Sequence, residues 1–205
     1  MTLIKICGIT NKIDAVFAAN LGVDMIGLVF YEKSKRRVDR NTAREIINEL
    51  PDTIAKVGVF VDEDIDTVRA IAEDVGLDSL QFHGDETPKY CRAFKADYKV
   101  IKAFRILNKK DIEPINLYDV DYFLVDTHKH GYFGGTGETF DWKMLKDYEF
   151  LKPVILSGGL NPSNIGRAIS EVVPYGVDVS TGVEEYPGKK CMQLLKSFVE
   201  EARKG

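Results

Sequence analysis

A chain of 205 residues, 44% hydrophobic and 29% charged, has the composition of an ordinary globular protein and enough apolar surface to bury a sizeable core. Its formal net charge of −4 lacks the basic excess that a nucleic-acid footprint requires. No apolar run approaches the roughly 18 residues of a membrane helix, so neither nucleic acid nor membrane is an expected partner.

The N-terminal stretch MTLIKICGIT has no long apolar segment with a small-residue cleavage site, and no signal peptide is expected. Cys7, Cys91 and Cys191 form an odd, sparse set that does not read as a disulfide framework. A reducing cytoplasm is the simpler setting.

From there the chain alternates between two textures. Short β-branched apolar runs start at Leu3 (LIKICGI), Met25 (MIGLVF), Lys56 (KVGVFV) and Ser79 (SLQFH). Four more start at Lys99 (KVIKAF), Tyr122 (YFLVDT), Pro153 (PVILSG) and Gly176 (GVDVST). They predict eight strands. The segments after them carry helical periodicity: NKIDAVFAANLG, RNTAREIINELP, DEDIDTVRAIAEDVG, ETPKYCRAFKA, NKKDIEPINLY, DWKMLKDYEF, NPSNIGRAISEVV and KKCMQLLKSFVEEARKG. In the third, Ile65, Val68, Ile71, Ala72 and Val75 share one helix face, Asp62 or Asp64 supplies the cap, and Gly76 the stop. Pro114 makes NKKDIEPINLY the weakest helix, short or kinked.

Eight strand–helix units with near-continuously apolar strands predict a parallel sheet covered on both faces. An open doubly wound sheet and a closed barrel both satisfy that pattern. The count of eight favours the (β/α)8 TIM barrel, a compact one for this length. No linker or composition shift divides the chain, so one α/β domain over residues 1–205 is expected.

In such a barrel the chemistry sits where strands end and the following loops begin. Those places hold Cys7, Arg36, His83, Asp126, the pair Gly158 and Gly159, and the pair Ser180 and Thr181. The loops after strands seven and eight, SGGLN and STGVE, bring small residues to the usual phosphate site of the fold, where bare backbone and a helix N-terminus receive an anion. FGGTGE after strand six, with Gly135, is a third such loop. Cys7 is either a small buried hydrophobe or a base whose thiolate is favoured by the helix start near Thr10. Asp126 ends an apolar run, as a general acid raised by desolvation or as a loop cap or salt-bridge partner. Arg36, in YEKSKRR, is either a solvated loop charge or a fork for a substrate carboxylate. Asp178 is a charge inside a strand that binds a sugar hydroxyl or pairs with a buried cation. Asp126, His128 and His130 have a spacing that invites a metal, but no further Cys/His cluster completes a site, and none is expected.

Together KICGIT, LVFYEKSKR, VGVFV, LQFHGDE, LVDT, GGTGETFDW, ILSGGLNPSN and VDVSTGVEEYPGKK resemble the phosphoribosylanthranilate isomerase family of tryptophan biosynthesis, in order and over essentially the whole chain. The resemblance implies a cofactor-free barrel enzyme that isomerises an aminoaldose to an aminoketose. It implies Cys7 as general base and Asp126 as general acid, with Arg36 on the anthranilate carboxylate. Gly135, Gly158, Gly159, Ser180 and Thr181 match the family's phosphate loops, and His83 and Asp178 its active-site positions. The expected partner is a small phosphorylated substrate, bound by a monomer or a homodimer. Two other readings remain: the related isomerase of histidine biosynthesis, which carries Asp where this chain has Cys7, and a barrel that only binds a phosphorylated metabolite.

Overall fold

The computed structural model describes residues 2–126, 142, 145 and 148–204. Eight parallel strands close in chain order into a barrel, β1 pairing with both β2 and β8. They are β1 (Leu3–Cys7), β2 (Met25–Val29), β3 (Ala55–Phe60), β4 (Ser79–Phe82), β5 (Lys99–Arg105), β6 (Tyr122–Asp126), β7 (Val154–Ser157) and β8 (Gly176–Val179). Each corresponds to one predicted apolar run. The eight-stranded α/β barrel expected from the sequence is the observed fold.

Period-two alternation gives every strand two apolar faces. On β1, Ile4 and Ile6 are fully buried in the large cluster beneath the surrounding helices. Lys5 and Cys7 point the other way, into the barrel. Met25, Val57, Ile101, Ala103, Leu124 and Ile155 form a separate apolar cluster there. Burying each larger aliphatic side chain stabilises the fold by roughly 1.5–3 kcal/mol.

The helices are α1 (Lys12–Asn20), α2 (Arg40–Ile47), α3 (Ile65–Val75), α4 (Pro88–Arg92), α5 (Ile165–Val172) and α6 (Met192–Lys204). The third follows its sequence pattern closely. Asp64 is its cap, accepting from the Thr67 amide, and Gly76 ends it at φ +73°. Asp62 takes another role, its carboxylate accepting from the Asp85 amide.

Two segments differ from expectation. NKKDIEPINLY becomes two single 3-10 turns, Lys109–Asp111 and Ile115–Leu117, because Pro114 has no amide to donate and its ring blocks a continuous helix. KKCMQLL starts its helix late: Glu184–Tyr186 (β9) and Lys189–Lys190 (β10) form a hairpin turned at Gly188, φ +89°. Cys191 therefore precedes α6 instead of lying within it. Among the described residues no helix is long and apolar enough to cross a membrane.

Candidate active site

Cys7 and Asp126 are the last residues of β1 and β6, so both stand at the C-terminal rim of one parallel barrel. Register confirms that they share the inner face. Lys5 pairs with Asp178 on β8, and Asp126 pairs with Ser157 on β7. The side chains meet inside: Lys5 Nζ lies 2.8 Å from Asp178 Oδ1, and Ser157 Oγ lies 3.1 Å from Asp178 Oδ2. Asp178 thus makes an ion pair with a buried cation, one of the two roles the sequence offered it.

Cys7 is 9% exposed and packs with Val29, Val59 and Tyr31. Burial pushes its thiol above the ordinary value of 9.0, against the opposing pull of Lys5. This corrects the expected lowering by a helix N-terminus. The cap of α1 is Asn11, four residues further on, and the sulfur sits in the rim of the barrel instead.

His83 follows β4 and reaches toward Asp126. Its Nε2 is 3.6 Å from Asp126 Oδ2. Its Nδ1 is 2.9 Å from Gln81 Nε2. With the amide nitrogen as donor, Nδ1 accepts and the ring proton sits on Nε2, facing the carboxylate. Cys7, His83, Asp126 and Asp178 are thus gathered at one end of the barrel.

Arg36 reaches the same rim from the loop after β2. Its Nε and Nη2 donate to Glu184 at 2.7 and 2.5 Å, a bidentate fork whose hydrogen bonds hold the guanidinium above its ordinary value. Glu184 also accepts from Lys190 Nζ at 3.0 Å. Burial works against its charge, but Arg36 and Lys190 outweigh it and hold the carboxyl below 4.5. Lys190 Nζ donates as well to the carbonyls of Cys7 and Ser180, at 2.7 and 3.1 Å. The hairpin β9–β10 thereby ties the ends of β1 and β8 to Arg36. The approach needs a bare backbone at Gly8, where a Cβ would lie 2.6 Å from Arg36 Cδ.

Gly158 and Gly159 follow β7 at φ +94° and +66°, conformations that favour glycine. Asn161 and Asn164 donate to the Gly159 carbonyl at 3.3 and 3.0 Å, fixing the turn. Ser180 and Thr181 open the 3-10 turn after β8. Gly182 brings the two loops together: a Cβ there would meet the Leu160 carbonyl oxygen at 1.9 Å. The positive end of α5 begins only at Ile165, later than the sequence suggested. Gly135, like His128 and His130, lies outside the described residues.

Sequence reasoning passed over Lys5, Gln81, Gly182, Glu184 and Lys190. Lys5 carried a signal, since it shares the inward face of LIKIC with Cys7. Glu184 and Lys190 carried none, because only the hairpin brings them beneath Arg36.

A profile of the family described as N-(5'phosphoribosyl)anthranilate (PRA) isomerase matches residues 4–201. The chain belongs to this family. It is 50% identical to the N-(5'-phosphoribosyl)anthranilate isomerase of Desulforudis audaxviator, over 99% of this chain and 98% of that one. The crystal structure of phosphoribosyl anthranilate isomerase from Thermotoga maritima superposes with a TM-score of 0.93 at 42% identity, covering all of both chains. A phosphoribosyl anthranilate isomerase in complex with reduced 1-(o-carboxyphenylamino)-1-deoxyribulose 5-phosphate gives a TM-score of 0.87 at 39% identity, again over both whole chains. The PRA isomerase resemblance drawn from KICGIT, SGGLNP and their companion motifs is the family found.

Proposed function

We propose that this chain catalyses the Amadori rearrangement of N-(5-phosphoribosyl)anthranilate to 1-(2-carboxyphenylamino)-1-deoxyribulose 5-phosphate, a step of tryptophan biosynthesis. The observation that carries this reading is the placement of Cys7 and Asp126 on inward-facing positions at one rim of the barrel.

The residues fit the chemistry step by step. Asp126 protonates the furanose ring oxygen, the C1–O bond breaks, and a Schiff base forms. The iminium acidifies the C2 proton, which passes to the Cys7 thiolate. The electron pair of that C–H bond becomes the C1–C2 double bond of an enolamine. A proton then adds at C1, the C2 hydroxyl gives up its proton, and the ketone results. The substrate's own nitrogen is the electron sink, so the reaction asks for no nicotinamide or metal. His83 orients Asp126 through Nε2.

Arg36 takes the anthranilate carboxylate. Glu184 already occupies the Nε/Nη2 fork, so the substrate is left the Nη1 side. Gly135, Gly158, Gly159, Ser180 and Thr181 cradle the phosphate with backbone amides. The substrate is thus a small phosphorylated molecule held at three points: carboxylate, reacting centre and phosphate.

The test is direct. Purified protein is mixed with freshly made phosphoribosylanthranilate, and the loss of its fluorescence is followed. Steady loss that depends on enzyme concentration is expected. No loss would leave the chain a phosphometabolite binder or an isomerase of another sugar phosphate.

A further inference from the structure

Lys5 is, with Lys190, among the largest fully buried side chains of the described residues, and the steps above give it no task. An ammonium inside a barrel is costly unless partnered. Lys5 Nζ donates to Asp178 at 2.8 Å, and its charge acts on the Cys7 sulfur next to it. A Cβ at Gly27 would lie 2.9 Å from Cys7 Sγ and 3.0 Å from Lys5 Nζ. Sulfur and ammonium therefore share the one spot of β2 that carries no side chain.

Lys102 provides the contrast. It is equally hidden, on the outer face of β5, and it donates to the carbonyls of Phe82, Gly84 and Ala103 and to Glu86. Three of its four partners are backbone, as befits a staple. Among the described residues Lys5 has no such backbone partner, and the sulfur beside it at Gly27 is the group that must change charge in the reaction.

We propose that Lys5 is a positioning residue for the isomerisation: its ammonium supplies the counter-charge to the Cys7 thiolate, and Asp178, anchored by Ser157, holds that ammonium in place. The inference rests on the reading of Cys7 as the base. Burial favours the neutral thiol, yet only the thiolate can accept the C2 proton. A thiolate enclosed by Val29, Val59 and Tyr31 needs a cation within reach, and the ammonium beside it at Gly27 is that of Lys5.

The other charges around the sulfur act from further away or with the opposite sign. Lys190, from β10, engages the Cys7 carbonyl and not the sulfur. Arg36, from the loop after β2, is taken up by Glu184. Asp178, from β8, repels a thiolate while it attracts Lys5. β2 offers Gly27 and Val29, and β3 offers Val59, none of them charged. The same attraction that holds Lys5 above its ordinary value, against its burial, is what the sulfur draws upon.

The arrangement predicts opposite signs for its two members. Removing Lys5 strips the thiolate of its cation. Asp178→Asn takes away the competing anion while its amide oxygen still accepts from the Lys5 ammonium and keeps it beside the sulfur. The experiment is alkylation of Cys7 by iodoacetamide in the intact chain between pH 7 and 9.5, followed by mass analysis of the Cys7 peptide, with kcat and KM measured over the same range. Lys5→Met is expected to slow alkylation at pH 8 at least tenfold, the equivalent of one pKa unit, and to lower kcat at least tenfold with KM within about threefold. Asp178→Asn is expected to alkylate at least as fast as wild type. A Lys5→Met rate within twofold of wild type overturns the proposal, as does an Asp178→Asn variant slowed as much as Lys5→Met.

Should Lys5→Met fail to fold, the doubly neutral Lys5→Met/Asp178→Asn chain takes its place. It must alkylate at least tenfold more slowly than Asp178→Asn alone, and equal rates overturn the idea. Alkylation needs no substrate, so the role of Lys5 is tested even where wild-type turnover of phosphoribosylanthranilate, the separate test of the activity, is absent.

Discussion

The inside of this barrel has two ends of different chemistry. Toward the N-terminal ends of the strands the inward-facing residues are hydrocarbon: Met25, Val57, Ile101, Leu124 and Ile155. Toward the C-terminal ends Cys7, Asp126, Ser157 and Asp178 gather, and Lys5 and Gln81, level in register with Met25 and Ile101, extend their polar ends to Asp178 and to His83. The difference teaches a division of labour: the apolar end supplies stability, and the polar end spends some of it on groups that water would otherwise solvate. Changes at the two ends should therefore separate activity from stability.

Cys7→Ala removes a proposed base without leaving a charge behind. A kcat lower by about 10²- to 10⁴-fold is expected, with a melting temperature equal to or above wild type. Near-normal turnover would remove Cys7 from the mechanism. Ile101→Ala does the reverse. It opens a void in the apolar cluster and should cost roughly 2–5 kcal/mol in chemical denaturation, with kcat of the folded enzyme within a few-fold of wild type. A larger loss of kcat than of stability would break the proposed separation.

Two smaller effects sharpen the boundary. Gly182→Ala has to push a Cβ against the Leu160 carbonyl and so pry the β7 and β8 loops apart. The expected result is a rise in KM of about tenfold, roughly 1.4 kcal/mol, with less change in kcat. Glu184 is held below its ordinary value of 4.5, so the stability it contributes is present above that pH and is lost as pH falls through its folded value. Melting curves of wild type and Glu184→Gln should accordingly differ most near neutrality and converge at the acid end. Curves that stay parallel down to pH 3 would show that Glu184 is not an ionised partner of Arg36.

Much of this was legible beforehand, for identifiable reasons. Each strand is a short apolar run, and the first three helices carry their own caps, as Asn11, Asp39 and Asp64 show, with Gly76 and the Val68 face completing the third. Local signals of that kind survive without tertiary information. Cys7, Asp126 and the glycine loops were legible because strand ends fix where side chains emerge. What escaped depends on closure. Lys5 meets Asp178 only because β1 pairs with β8, a contact between residues 173 positions apart. Glu184 and Lys190 meet Arg36 only through a hairpin hidden in EEYPGKK, where the apparent helix start at Lys189 was the stronger local signal. The expected lowering of the Cys7 thiol failed for a related cause: sequence proximity to a helix start said nothing about how deeply the rim would enclose the sulfur.

Asp126→Asn tests the central claim most directly, because it keeps size and shape while removing the proposed acid from the same rim. Turnover of phosphoribosylanthranilate at saturation, measured beside a thermal melt of the same sample, should fall at least 100-fold with the melting temperature within a few degrees of wild type. Turnover within a few-fold of wild type, with the fold intact, would contradict the account.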